Sequence, residues 1–130
     1  MIDHMTILVS DYRRSLAFYL QALKPLGYAM TMELDDVTYP HLPSAFFVGL
    51  GVKGKADLWL RPSKAMAPTH VAFRAESRAI VDAFYREALA AGGTSNGEPG
   101  PRPENGANYY AAFVLDPDGY NVEAVCHEPG

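Results

Sequence analysis

The chain repeats part of its own sequence after 66 residues, and this repeat restricts the possible folds more than any other feature. A shift by that distance gives seven identities across residues 4–27, where chance gives roughly one or two. The matching residues of the first copy are His4, Ala17, Phe18, Tyr19, Ala22, Leu23 and Gly27, and their counterparts are His70, Ala83, Phe84, Tyr85, Ala88, Leu89 and Gly93. Coincidence between two amphipathic helices is the alternative; the positions of the matches favour a duplicated module.

Each half has the same predicted order of elements: a strand, a helix and three further strands. In the first half the predicted strands are Ile2–Val9, Tyr28–Glu33, Ala45–Leu50 and Ala56–Arg61, with Asp11 as the helix N-cap. In the second half they are Thr69–Arg74, Thr94–Asn96, Tyr109–Leu115 and Tyr120–Cys126, with Ser77 as the N-cap. The sequence therefore predicts an α+β fold, one domain of two tandem βαβββ modules at about residues 1–62 and 68–128.

Two long segments that contain Pro or Gly, Leu34–Ser44 and Gly97–Asn108, separate predicted strands. Loops of this length are more often functional than part of a core. We expect both to form the rims of a binding site.

Both histidines of the repeat are predicted on the face of their strand that points away from the helix. Side chains alternate between the two faces of a strand. The apolar rows that should pack under the helices are Met5, Ile7 and Val9 in the first strand and Val71 and Phe73 in the fifth. His4, His70 and Arg74 then face the other way.

The last two predicted strands form a hairpin around the turn Asp116–Gly119, which has Pro second and Gly last. If Leu115 pairs with Tyr120 across this turn, Ala112 lies opposite Glu123. The residues that this pairing places on one face are Tyr110, Asn121 and Glu123. A carboxylate in the middle of a strand is costly unless it is paired or bound to a metal.

Two histidines and one carboxylate on a common face are typical of a metal site. Nitrogen and hard oxygen donors hold a divalent ion and leave positions open for water or substrate. A single strand histidine is usually only hydrogen-bonded, and a strand glutamate is usually solvated or ion-paired. The equivalent positions of His4 and His70 nevertheless favour a metal site of His4, His70 and Glu123. His41 and His127 lack repeat partners and are predicted at the surface.

Composition excludes several classes of protein. The net charge of −4, without a Lys/Arg cluster, argues against nucleic-acid binding. The longest apolar stretch, Ala45–Val52, is too short to span a membrane, and the N-terminus lacks the features of a secretory signal. The single cysteine, Cys126, excludes an internal disulfide and a multi-cysteine zinc site. We expect a cytoplasmic protein.

Three segments of the chain resemble a known superfamily. They are Ile2–His4 with the helix that follows, Thr69–Phe73 in mid-chain, and the closing hairpin Asp116–Glu123. They resemble the vicinal oxygen chelate superfamily, which contains glyoxalases, bleomycin-resistance proteins and extradiol dioxygenases. The resemblance implies paired βαβββ modules that form a curved mixed sheet around a cleft. It also implies a divalent metal ion (Zn, Ni, Mn or Fe(II)) held at the places of His4, His70 and Glu123.

Glyoxalase I enzymes use a further acidic ligand on the fourth strand, and the place of this ligand is ambiguous here. Asp57 corresponds to Glu123 at the 66-residue offset, whereas the Leu-x-Leu pattern favours Trp59. Asp57 and Trp59 share a face, so strand alternation does not decide between them. We favour Trp59, which leaves three protein ligands and departs from the glyoxalase I pattern.

The resemblance implies a metal-dependent enzyme of lyase or isomerase type that acts on a small, oxygen-rich molecule through an enediolate, with Glu123 as catalytic residue. A dioxygenase, a fosfomycin-resistance type of transferase and a metal-free ligand-sequestering protein are the alternatives. The candidates to hold an anionic group are Arg74 and Arg102, and those for an apolar wall are Trp59, Phe47 and Tyr110. Phe47 is equally a core residue, and Arg102 a solvated loop charge. A homodimer is expected, because curved sheets leave an open edge and an apolar face that a partner can cover.

Overall fold

The computed structural model describes residues 2–35, 46–65 and 67–130. The first module contains β1 (Met5–Val9), α1 (Tyr12–Ala22), β2 (Ala29–Asp35), β3 (Phe46–Val52) and β4 (Lys55–Pro62), with a short 3₁₀ turn (Lys24–Leu26) after α1. The second contains β5 (His70–Arg74), α2 (Arg78–Ala90), β6 (Thr94–Pro101), β7 (Tyr110–Leu115) and β8 (Asn121–Cys126). The predicted rim loop Leu34–Ser44 and the predicted surface residue His41 lie mostly or wholly outside the described residues.

Each module forms its own four-stranded sheet. The strand orders are β1-β4-β3-β2 and β5-β8-β7-β6. In both sheets the first strand pairs in parallel with the last, and the other neighbours pair antiparallel. The predicted α+β fold of two βαβββ modules is thereby confirmed.

The helices begin at the predicted N-caps and pack their apolar sides into the core. The Asp11 side chain accepts a hydrogen bond from the Arg14 amide, and the Ser77 hydroxyl accepts one from the Ile80 amide. The largest fully buried side chains include Tyr19, Phe18, Phe84, Ile7 and Leu23. No helix among the described residues is long and apolar enough to cross a membrane.

The predicted pairing of the last hairpin is wrong by one residue. The observed register joins Leu115 to Asn121 and Phe113 to Glu123. The Asp116 amide donates to the Tyr120 carbonyl at 2.9 Å, so the loop contains three residues rather than four. Gly119 has a φ of +83°, the left-handed conformation that closes three-residue hairpin loops. The shift exchanges the two faces of β7.

The turn between β7 and β8 also joins the two modules. Tyr19 on α1 donates its hydroxyl to Asp116 Oδ2 at 2.5 Å. The Ser10 amide donates to Asp118 Oδ2 at 3.1 Å, and the Tyr120 hydroxyl donates to the Leu8 carbonyl at 2.7 Å. The C-terminal end of β1 therefore lies against the turn that leads into β8.

Candidate active site

His70 and Glu123 meet on the face of the second sheet that points away from α2. In the parallel ladder of β5 and β8, His70 lies beside Asn121 and Ala72 beside Glu123. The Nε2 atom of His70 is 3.1 Å from Oε2 of Glu123. Glu123 is 3% exposed, and a carboxylate that is this deeply buried needs a strong partner.

One hydrogen bond of His70 determines which of its ring nitrogens carries a hydrogen atom. His70 Nδ1 lies 2.9 Å from the Asn121 carbonyl oxygen, which can only accept, so Nδ1 carries the hydrogen. In the neutral ring the lone pair then belongs to Nε2, the nitrogen beside Glu123. Metal-binding histidines are oriented in this way, with the second nitrogen donating to a carbonyl or carboxylate.

The other oxygen of Glu123 is held by Tyr109, a residue that sequence reasoning missed. The Tyr109 hydroxyl donates to Glu123 Oε1 at 2.5 Å. This hydrogen bond, followed by burial and the negative charge of Glu123, raises the pKa of Tyr109 to about 12, so the hydroxyl remains a donor at neutral pH. With a three-residue loop assigned, strand alternation would have placed Tyr109 on this face.

Tyr110 lies on the opposite face of the sheet, which is the side of α2. Its hydroxyl donates to Asp82 Oδ1 at 2.7 Å, and the Arg78 guanidinium lies 5.0 Å above its ring. The expected position of Tyr110 beside Glu123 followed from the wrong hairpin register. Phe113 occupies the Glu123 face instead, and its ring stacks on that of His70 at 6.5 Å.

The two candidate arginines have different surroundings. The Arg102 guanidinium lies 5.5 Å above the Phe113 ring and donates to the Glu98 carbonyl at 2.7 Å. Arg102 is therefore held against the Phe113 ring and the Glu98 carbonyl rather than being a freely solvated loop charge. Arg74 is exposed and shares the strand face of His70. Among the described residues, Glu123 is paired with His70 and Tyr109 rather than with Arg74.

His4 does not join this pair within one chain. It is exposed, and its Nδ1 lies 2.7 Å from Asp3 Oδ1. Within residues 2–35, 46–65 and 67–130, no three His, Cys, Asp or Glu side chains converge on one point. A cavity of about 1010 Å³ is lined by residues of both modules, including His4 and His70, whereas the buried Glu123 is not part of its lining.

The register of the first sheet shows which residue corresponds to Glu123. Thr6, the repeat counterpart of Ala72, lies beside Trp59 in the ladder of β1 and β4. Trp59 therefore occupies the place of Glu123, and Asp57 that of Asn121. The Tyr28 hydroxyl donates to Asp57 Oδ2 at 2.9 Å. Phe47, the third residue suggested for an apolar wall, has a side chain outside the described part of the chain.

The spacing of His70 and Glu123 fits one shared divalent ion. Two ligand atoms at about 2.1 Å from an ion, separated by roughly 90–109°, lie about 3.0–3.4 Å apart. The observed separation of Nε2 and Oε2 is 3.1 Å. A borderline nitrogen and a hard oxygen donor suit zinc, nickel, manganese or ferrous iron alike. One chain therefore places two donor atoms at a separation that suits one ion, and within its described residues no third His, Cys, Asp or Glu side chain joins them.

Comparisons with known proteins agree with this architecture. The family model of the Glyoxalase/Bleomycin resistance protein/Dioxygenase superfamily matches residues 1–124. A probable lactoylglutathione lyase from Vibrio cholerae serotype O1 is 29% identical over 136 residues, which cover 95% of this chain and 88% of that protein.

Solved structures show the same fold. A glyoxalase/bleomycin resistance protein from Albidiferax ferrireducens has a TM-score of 0.73 at 23% identity, covering 97% of this chain and 98% of that one. A glyoxalase I mutant from Zea mays has a TM-score of 0.71 at 21% identity, covering 99% of this chain but 45% of that one. Because the family model matches residues 1–124, this chain belongs to the glyoxalase/bleomycin resistance protein/dioxygenase superfamily.

Proposed function

We propose that this protein is a metal-dependent enzyme of lyase or isomerase type that acts on a small molecule with two adjacent oxygen atoms. The geometry of His70 carries the proposal, because its Nδ1 is engaged by the Asn121 carbonyl and its Nε2 lies 3.1 Å from a buried carboxylate oxygen. The similarity to a probable lactoylglutathione lyase supports the lyase class.

We propose that His4 completes the ligand set from a second copy of the chain. His4 directly precedes β1, and His70 is the first residue of β5. Both strands lie at an edge of their sheet, and unpaired edges are natural places for association. The C-terminal end of β1 contacts the turn before β8, so His4 lies at the far end of β1 from this contact. A twofold homodimer can bring His4 of each copy to the His70–Glu123 pair of the other.

A bound divalent ion would supply Lewis acidity that stabilises negative charge on two adjacent oxygens. Glu123 is the residue placed to accept a proton from the substrate carbon next to these oxygens and to return it to the substrate, since its carboxylate faces the ion position. Arg102 and Arg74 are the cations available to hold an anionic part of the substrate. Phe113, and Trp59 on the first module, provide apolar surface.

A metal-free ligand-binding protein is the second candidate. The distance of 3.1 Å between His70 and Glu123 is also that of an ordinary ion pair, and one chain lacks a three-ligand cluster within its described residues. In this case His70 and Glu123 would be structural partners. Metal analysis of protein purified without chelators separates the two functions, because the enzyme should retain close to one divalent ion per chain.

A mixing experiment tests the shared site. His4→Ala and Glu123→Gln should each lose bound Zn²⁺ when alone. If copies exchange, mixing the two variants should restore about one quarter of the wild-type Zn²⁺ sites, because half of the dimers are mixed and each contains one intact site. Arg13→Ala, an exposed change on α1, serves as the control in the same mixtures. Loss of Zn²⁺ in both variants without recovery after verified exchange would place His4 in the site of its own chain.

A further inference from the structure

The two oxygens of the Glu123 carboxylate have different neighbours. Oε2 faces His70 Nε2, whereas Oε1 accepts the hydrogen bond of the Tyr109 hydroxyl. We infer that Tyr109 is a positioning residue that holds Glu123 in one orientation, so that only Oε2 is presented to the metal position. This inference rests on the proposed function. It assigns the orientation of the Glu123 carboxylate to a residue that is not itself a metal ligand.

The backbone around Tyr109 is well fixed, so its hydroxyl has a defined place. The Arg102 amide donates to the Tyr109 carbonyl at 2.7 Å, and the Tyr109 amide donates to the Gly106 carbonyl at 3.2 Å. The Tyr109 ring packs at 90° against the ring of His127, with the centroids 5.2 Å apart. The loop between β6 and β7 thereby holds the Tyr109 hydroxyl against the Glu123 carboxylate.

Removal of the hydroxyl would free the orientation of Glu123 without removing its charge. A carboxylate with one unpaired oxygen can rotate and bind an ion through both oxygens, which changes the ion's coordination number. Oε1 would also be buried without a partner, which is unfavourable. Groups that orient ligands in this way typically contribute 10–100-fold to metal affinity.

The neighbouring residue Tyr110 provides a matched control. It is the same residue type in the same strand region, and its hydroxyl also donates to a carboxylate, Asp82, but on the opposite face of the sheet. Tyr110→Phe therefore removes one tyrosine–carboxylate hydrogen bond without touching Glu123.

The test uses Co²⁺ as the probe, since its visible spectrum reports coordination geometry as well as occupancy. In Tyr109→Phe we expect the Co²⁺ dissociation constant to rise about tenfold and the visible bands to change in position and intensity. In Tyr110→Phe both should remain as in the wild type. Thermal unfolding of the metal-free variants measures any general loss of stability separately.

The possible failures are distinguishable. If the wild type binds Co²⁺ and Tyr109→Phe has the same dissociation constant and spectrum, the positioning role is wrong and the proposed function stands. Equal losses in Tyr109→Phe and Tyr110→Phe would also overturn it, because the effect would then be structural. If the wild type binds no Co²⁺, the proposed function fails, and the inference with it.

Discussion

Gln21 and Glu87 occupy the same position in the two copies of the repeat, and Gln21 Nε2 donates to Glu87 Oε2 at 3.2 Å. A residue can meet its own counterpart only close to a twofold axis. The pseudo-twofold axis therefore passes between α1 and α2. His4 and His70 lie on sheet faces that point away from these helices, so packing of the helices does not by itself bring the two histidines to one ion.

The first prediction concerns Glu123→Gln, which keeps the size of the side chain and removes its charge. We expect divalent metal affinity to fall by at least about tenfold, measured by calorimetric titration with Zn²⁺. The metal-free variant should be as stable as the wild type or more stable. Its amide oxygen can still accept from Tyr109, and its NH₂ group can donate to the neutral Nε2 of His70.

Glu128→Gln is the control for this variant, since it removes an exposed carboxylate from the same end of the chain. Unchanged Zn²⁺ affinity in Glu123→Gln would exclude Glu123 as a ligand. A large loss of stability in the metal-free form would instead assign Glu123 to a structural ion pair.

A second prediction concerns the pH dependence of stability. Burial raises the pKa of the Asp116 carboxyl above its ordinary value of 3.8, against the opposing effects of hydrogen bonds from Tyr19 and two backbone amides. The folded chain thus binds this proton more tightly than the unfolded chain. The resulting stabilisation is present below pH 3.8 and is lost as pH rises through the folded-state pKa.

Asp116→Asn tests this sign because asparagine cannot ionise. The unfolding free energy of the wild type, relative to that of Asp116→Asn, should decrease between about pH 3 and pH 7. Urea unfolding at several pH values measures this difference. The contributions of the other carboxylates cancel, because both proteins contain them. A relative stability that increases with pH would show that the hydrogen bonds outweigh burial.

A third prediction uses the only tryptophan of the chain as a reporter. A Cβ atom at Gly49 would lie 3.0 Å from Trp59 Cη2 and 2.9 Å from the Ala56 Cβ. Gly49→Ala should therefore displace the Trp59 ring, shift its fluorescence maximum and cost about 1–3 kcal/mol of stability. Gly54→Ala is the control. Its φ of +77° strains an alanine backbone, but nothing lies near its Cβ position, so the fluorescence maximum should remain unchanged. An unshifted spectrum in Gly49→Ala would mean that the ring does not lie over Gly49.

A fourth prediction addresses the junction between the modules. Tyr120 is 5% exposed and donates to the Leu8 carbonyl at 2.7 Å. Tyr120→Phe should destabilise the chain by about 0.5–1.5 kcal/mol, the usual contribution of one hydrogen bond. Tyr85→Phe removes a hydrogen bond to Ser95 at an exposed site and should cost less. Equal costs in chemical denaturation would argue that the Leu8 contact is dispensable.

Strand alternation and the repeat were sufficient to predict the modules and the outward face of His70. The hairpin register could not be obtained in the same way, because a loop of three or four residues is compatible with the sequence Asp116–Gly119. The Asp116 side chain decides between them by accepting from the amides of Asp118 and Tyr120. With a four-residue loop, Tyr110 is predicted in the site, whereas the three-residue loop places Tyr109 there.

The β6 strand was also only partly predicted. Thr94–Asn96 was expected, whereas the strand extends to Pro101 through irregular pairing with β7. Gly97, Pro99 and Gly100 are unfavourable in strands, and tertiary pairing overrides this preference. The rim loop expected at Gly97–Asn108 is correspondingly shorter, and Arg102 and Tyr109 stand at its two ends.

The equivalence of Trp59 and Glu123 has a consequence for how a ligand is oriented. The same sheet position carries an apolar ring in one module and an acid in the other. A pocket assembled from one face of each kind has a reactive wall and an inert wall, although both descend from one repeated unit. A small molecule bound between these walls would have its two ends in chemically different surroundings. The difference between the two repeats therefore selects one orientation of the molecule, which two identical modules could not do.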